Sequence, residues 1–107
     1  MSLDVTLTAV RPTKVFTWNI THNLNVMAMA ADLYMPIWRP EELDITLAEE
    51  LIKPLTEGLK RLESTPGYFR TFNPANGWGT YENLVEFVQR YLKACKEDPD
   101  AIIEVSR

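Results

Sequence analysis

The five residues at positions 76–80 have the types that best fit a small binding site in this chain of 107 residues. Gly77 and Gly79 flank Trp78, and the chain then enters a predicted helix at Thr80. Glycines let backbone N–H groups approach a ligand, a helix start favours negative charge, and an indole ring stacks on planar groups. The segment predicts a site for an anionic or planar ligand. A structural loop with Trp78 in the core is the competing interpretation.

Arg39 is the basic residue that we expect beside this loop. A guanidinium group binds anions through paired hydrogen bonds, although an ion pair with Glu41 or Glu42 is an equal alternative. The predicted ligand-binding residues are Arg39, Asn76, Gly77, Trp78, Gly79 and Thr80. Trp38 and Met29 are predicted contacts with a protein partner, Met29 because it lies off the apolar stripe of its helix.

His22, the single histidine, supplies an alternative function. Histidine titrates near neutral pH and serves enzymes as a general acid or base, with Arg39 here orienting the substrate. The structural alternative is a hydrogen bond to nearby backbone at a strand-to-helix junction. One histidine and one distant cysteine, Cys95, do not make a usual zinc site, and no dinucleotide or phosphate-loop motif occurs. We therefore predict no metal and no cofactor, and place Cys95 in the core.

The composition excludes several classes of partner. The chain has 11 basic and 15 acidic residues, a net charge of −4 and a pI near 4.9. Nucleic acids and anionic membranes favour basic patches, so we expect neither as a partner. No apolar run approaches the ~20 residues that span a bilayer, and one cysteine suits a reducing compartment. We predict one domain over residues 1–107, located in the cytoplasm.

Alternating apolar and polar residues predict three strands. Residues 4–21 are predicted to form a hairpin with a turn at 11–14. Ala101, Ile103 and Val105 alternate with Ile102, Glu104 and Ser106, which predicts a short terminal strand. An isolated hairpin is marginally stable, so the terminal strand is expected to join it. The second strand carries no inward-facing charge that would discourage edge pairing, which predicts a symmetric homodimer.

Helical spacing predicts three helices. The first runs from a cap at Thr21 or Asn23 and ends at Pro36. The second begins with a capping box from Thr46 to Glu49 and is kinked or split near Pro54, after which residues 68–79 look irregular. The third begins at Thr80 and stops before Pro99. The fold class is α+β, with an N-terminal hairpin and a C-terminal strand in one sheet and three main helices on one face.

Three segments resemble a family of small uncharacterised proteins from bacteriophages, prophages and some bacterial genomes. They are Trp-Asn-Ile-Thr-His-Asn-Leu at 18–24, Trp-Arg-Pro-Glu-Glu at 38–42 and Asn-Gly-Trp-Gly-Thr-Tyr at 76–81. The resemblance implies a phage-related origin and transfers no activity. The leading hypothesis is a non-catalytic binding module for a small anionic ligand or a protein partner. The alternative is a small enzyme that uses His22.

Overall fold

One antiparallel sheet forms the frame of the protein in a computed structural model that describes residues 2–9 and 14–107. Its strands are β1 (Ser2–Thr8), β2 (Lys14–Thr21) and β3 (Ile102–Ser106), in the order β2-β1-β3. The predicted hairpin, the terminal strand and the α+β class are confirmed. The predicted turn falls on residues 11–13, outside the described residues, and on Lys14, which already belongs to β2.

The sheet buries one face because side chains alternate along each strand. Leu3, Val5 and Leu7 on β1 have no solvent exposure. Val5 lies opposite Trp18 on β2 and Val105 on β3, so the inward side chains of all three strands are in register. The other face of the sheet is polar, and the helices pack on the apolar face.

Five helices follow the hairpin: α1 (Asn25–Ala30), α2 (Tyr34–Trp38), α3 (Glu49–Ser64), α4 (Pro66–Arg70) and α5 (Tyr81–Glu97). Short 3₁₀ turns at His22–Leu24 and Pro40–Leu43 connect them. The long helices α3 and α5 pack against each other, and α5 also lies on β2. Thr80 and Asn83 form the capping box of α5, with Asn83 N–H donating to Thr80 Oγ1 at 3.2 Å, so the predicted cap is confirmed.

The first predicted helix is divided into α1 and α2, and Pro36 does not end it. Asp32 adopts a left-handed conformation with φ 58°, while Leu33 N–H donates to the Ala28 carbonyl at 2.8 Å. This is the Schellman ending, which normally uses glycine at the left-handed position. Pro36 lies in the first turn of α2, where its missing N–H has no intrahelical partner to lose. The prediction of the helix end was therefore wrong.

The start of α3 also differs from its predicted capping box. Glu50, not Glu49, accepts the N–H groups of Thr46 and Leu47 at 3.1 and 3.0 Å. Pro54 lies inside a helix that continues to Ser64, so it removes one backbone bond without splitting the helix. Pro66 begins α4, since proline suits the first position of a helix, so residues 68–70 of the predicted irregular segment are helical.

The segment before α3 covers the outer edge of β3. Ala48 N–H donates to the Ala101 carbonyl, and Ile103 N–H donates to the Thr46 carbonyl, both at 2.9 Å. In the described part of the chain, no strand or bridge pairs with the outer edge of β2. The sheet therefore has one covered edge and one open edge.

Gly58 is required by the contact between α3 and the turn after α1. A Cβ atom at Gly58 would lie 2.2 Å from Leu33 Cδ2, and Leu33 is fully buried. Gly58→Ala is therefore expected to lower the free energy of unfolding by about 1–3 kcal/mol, the usual cost of overpacking. Gly67→Ala is the matched control, since no atom lies within 4 Å of its added Cβ. It should gain about 0.5–1 kcal/mol from helix propensity. Chemical denaturation of both variants tests the contact, and equal stabilisation by the two would contradict it.

The Glu50 cap makes stability depend on pH. Its bonds to the Leu47 and Thr46 N–H groups hold the pKa of the Glu50 carboxyl below its ordinary 4.5. A lowered folded-state pKa contributes stability that is present above 4.5 and lost as the pH falls through the folded value. Glu50→Gln should lower the Tm at pH 7 and leave a smaller deficit in acid. Glu49→Gln is the control, and thermal melts in which both variants behave alike would contradict the assignment of the cap.

Candidate functional site

A cleft of about 420 Å³ opens between the C-terminal half of β2 and the loop that precedes α5. This volume lies within the range of small-ligand pockets. We call it the Trp78 cleft. The residues that line it are Trp18, Asn19, Ile20, Thr21, Leu24, Gly77, Trp78, Gly79, Asn83 and Glu86. The structure thus places three of the predicted loop residues, 77–79, in one concave surface.

The two glycines of the loop set its path against β2. Gly77 has φ 75° and Gly79 has φ 108°, a region that side chains with a Cβ rarely adopt. A Cβ at Gly79 would lie 2.8 Å from Thr21 Cγ2 and 3.0 Å from Leu24 Cγ. Gly79 therefore allows the loop to approach the protein's own strand closely. It does not hold a backbone surface open for a ligand.

Asparagine side chains occupy the backbone donors of the loop. Asn76 Oδ1 accepts the Trp78 N–H at 2.9 Å, and Asn73 Oδ1 accepts the Tyr81 N–H at 2.8 Å. Asn83 Oδ1 accepts the Thr80 N–H at 3.0 Å. They are three of the N–H groups at the loop and helix start where the anion site was predicted. Because they are already bonded, an anion would have to displace the asparagines to bind here.

The charges around the cleft also favour ligands other than anions. Glu86 is the one charged residue among those that line it. Arg39 lies outside the lining, where its guanidinium donates to Tyr34 Oη at 3.2 Å and to Glu42 Oε2 at 2.9 Å. The hydrogen bond to Tyr34 and then that to Glu42 raise the pKa of Arg39. Arg39 is therefore held by its own neighbours, as the ion-pair alternative expected.

Two tryptophans give the cleft its apolar surface. Trp78 is 70% exposed, so it does not fill the core as the structural interpretation expected. Trp18 is half-buried, and its ring stacks on Phe16 with the ring centroids 6.1 Å apart. Two accessible indole rings in one cleft form a largely apolar surface, which favours contact with apolar or planar groups.

His22 and Trp38 lie together outside the lining of the Trp78 cleft. Their ring centroids are 6.4 Å apart, and Trp38 is only 2% exposed. Trp38 also stacks on Tyr34 at 5.6 Å. Its prediction as a partner contact is wrong, because its ring belongs to the core. His22 Nε2 is buried without a hydrogen-bond partner, and His22 does not line the Trp78 cleft.

Met29 lies on a second, strongly apolar surface. It is 50% exposed and lines a groove of about 410 Å³ with Leu43, Pro54 and other residues of α1–α3. Asp32 is the single charged residue of this lining. The Met29 groove and the Trp78 cleft have no lining residue in common. The structure therefore does not bring the two predicted contact regions into one site.

The open edge of β2 is a feature that the sequence did not single out as part of a site. Ile103 donates its N–H to Thr46, away from β1, so Ile103 and Leu7, which lie opposite each other, are a pair without mutual hydrogen bonds. The N–H and C=O groups of Leu7 therefore point towards β2. Leu7 faces Phe16 across that pair. Bonded and unbonded pairs alternate in antiparallel sheets. The N–H and C=O groups of Thr17 and Asn19 therefore point outwards, beside the Trp78 cleft.

The remaining chemistry-bearing groups are structural. Cys95 is fully buried, and burial raises the pKa of its thiol to about 12, so its predicted place in the core is confirmed. Burial also raises the pKa of Tyr91. Over the described ranges, no three His, Cys, Asp or Glu side chains cluster closely enough to hold a metal ion. Nor does any helix there combine the length and apolar character needed to cross a membrane.

The chain matches no protein-family model, no curated protein and no solved structure. Its function must therefore be argued from the fold and the site alone. The phage-related family resemblance stays a prediction.

The difference between Trp78 and Trp38 is directly testable. Trp78→Ala is expected to change the free energy of unfolding by less than about 0.5 kcal/mol, as surface substitutions do. Trp38→Ala should cost about 3–5 kcal/mol, because it opens a cavity in the core. Urea denaturation of both variants measures the two costs. A large loss of stability in Trp78→Ala would show that the Trp78 side chain belongs to the core.

Proposed function

We propose that the protein is a non-catalytic binding module that takes up an extended segment of a protein partner along β2. The observation that carries this proposal is the open edge of β2 beside the Trp78 cleft. A partner strand would pair its backbone with the outward groups of Thr17 and Asn19. Recognition by strand addition draws affinity from the backbone and specificity from side-chain pockets.

The Trp78 cleft supplies such a pocket. Along an added strand every second side chain points to the helical face of the sheet. Trp18 and Ile20 point to that face from β2, and Trp78 stands across the cleft from them. An apolar side chain of the partner would fit between the two tryptophans. Burial of one such side chain contributes about 1.5–3 kcal/mol. It also adds selectivity, which backbone pairing alone does not supply.

A protein segment is favoured over a small anion by the state of the donors. The N–H groups of Trp78, Thr80 and Tyr81 are bonded to asparagines, and the described lining offers no basic side chain to an anion. A strand, in contrast, needs the backbone groups that β2 leaves open. The same argument allows a second copy of the chain as the added strand, so the homodimer stays a prediction.

The enzyme alternative lacks a shared site. His22 and Arg39 do not line the Trp78 cleft, and Arg39 is bonded to Tyr34 and Glu42. General acid–base catalysis needs the titrating group within hydrogen-bond reach of the substrate. Of the residues that the structure describes around the cleft, Glu86 alone carries a titratable carboxyl. A single exposed carboxylate does not make an acid–base pair.

Thr17→Pro tests the edge directly. Proline removes one outward N–H and is tolerated on edge strands where that N–H faces solvent. Dodecapeptides selected from a random displayed library on the immobilised protein should bind Thr17→Pro about tenfold more weakly, the loss of one backbone hydrogen bond. Thr17→Ala is the matched control, because it keeps the N–H. Isothermal titration calorimetry gives both affinities.

Two further measurements keep this test decisive if Thr17→Pro folds poorly. Peptides that are N-methylated at alternate residues should lose binding to the unaltered protein, since strand pairing needs their N–H groups. Sedimentation velocity of the free protein and of Thr17→Pro shows whether the chain self-associates and whether that association needs the β2 edge. Selection without enriched peptides, or peptides that bind Thr17→Pro and the parent protein equally, would overturn the proposal.

A further inference from the structure

A second concavity continues the Trp78 cleft along the same edge. It has a volume of about 290 Å³ and lies between the N-terminal half of β2 and the C-terminal half of α5. We call it the Lys93 cleft. Its lining residues are Val15, Phe16, Thr17, Trp18, Arg90, Lys93, Ala94 and Glu97. Trp18 lines both clefts, so the two form one groove that is divided at this ring.

The two halves of the groove carry opposite charge. The Trp78 cleft has the carboxylate of Glu86 and no described cation. The Lys93 cleft has two cations, Arg90 and Lys93, against one anion, Glu97. Since α5 advances 1.5 Å per residue, Glu86 and Lys93 are separated by roughly 10 Å along the helix. The field along the groove therefore runs from negative to positive over the length of a short strand.

The charged groups are available to a partner. Glu86 Oε1 and Arg90 Nε are 3.6 Å apart, and both side chains are more than half exposed. The guanidinium carbon of Arg90 lies 5.6 Å from the centre of the Trp18 ring. Lys93 is exposed and has no described ion pair. An exposed ion pair with a 3.6 Å separation, such as Glu86–Arg90, contributes little to stability. A partner's charges can therefore replace it at low cost.

Resting on the proposed function, we infer that the groove selects an extended segment with an apolar side chain between a basic and an acidic one. The apolar side chain lies at Trp18, the basic one faces Glu86, and the acidic one faces Arg90 and Lys93. On a strand these three positions are two residues apart, since alternate side chains share a face. The charge order also sets the direction of the bound segment for a given sequence.

Three acetylated and amidated heptapeptides test this charge pattern. The mixed peptide is Thr-Lys-Thr-Val-Thr-Glu-Thr, and the other two carry lysine or glutamate at both charged positions. The mixed peptide should bind about two- to fivefold more tightly than either, in low salt, as exposed ion pairs allow. Heteronuclear NMR titrations measure weak affinities of this size and show whether β2 and α5 are the elements that respond.

Charge reversal on the protein should change the preferred peptide. Glu86→Lys should favour the glutamate peptide, and Lys93→Glu should favour the lysine peptide. Glu57→Lys and Lys96→Glu are matched controls, because they make the same charge changes at exposed residues that line neither cleft. They should leave the order of the three affinities unchanged.

The outcomes separate this inference from the proposed function. Binding that is lost in Thr17→Pro and that follows the charge pattern supports both. Binding that is lost in Thr17→Pro but is equal for the three peptides overturns the charge pattern and leaves strand addition standing. If neither the heptapeptides nor the selected dodecapeptides bind, or if their binding survives Thr17→Pro, both strand addition and the charge pattern are overturned.

Discussion

The central position of β1 is the constraint on which the rest of the structure depends. β1 pairs with β2 on one side and with β3, from the opposite end of the chain, on the other. Its inward residues Leu3, Val5 and Leu7 are fully buried. The chain can bury that face only if the helices between β2 and β3 lie over the sheet. β3 pairs with the second side of β1, so β2 and β3 are the two edge strands of the sheet.

One edge of the sheet is covered by other residues of the chain and the other is open, and the proposed binding site lies at the open edge. The segment before α3 pairs with β3 through Ala48 and Thr46, and the Glu50 carboxylate holds that segment at the helix start. β2 receives no such cover from the described chain. Open strand edges favour association, and proteins usually protect them with charges or bulges. β2 has a register shift near Lys14 but uncharged residues from Val15 to Thr21.

The sequence predicted the elements well where regular periodicity determines them. Alternation in β1 and β3 and the helical stripe of α5 each reflect burial of one face, which a local pattern records. The C-terminus of α1 and the N-terminus of α3 each depend on a single side chain in an unusual role. Asp32 takes the left-handed position that usually needs glycine, and Glu50 replaces the expected Glu49. At the end of α1 a tertiary contact accompanies this choice, because Leu33, which follows Asp32, packs against Gly58 of α3.

The candidate site was only partly predictable for a related reason. The residue types at 77–79 correctly indicate a tight loop, but their meaning depends on which groups are already satisfied. Asn73, Asn76 and Asn83 come from three points along the chain and together bond three N–H groups of the loop and helix start. Those bonds compete with the predicted anion, while Trp78 stays exposed beside them. The unsatisfied backbone lies on β2. The sequence predicted pairing along this edge, but the strand order shows that β3 does not cover it. A search for reactive side chains overlooks such a site, because its main recognition groups are backbone N–H and C=O.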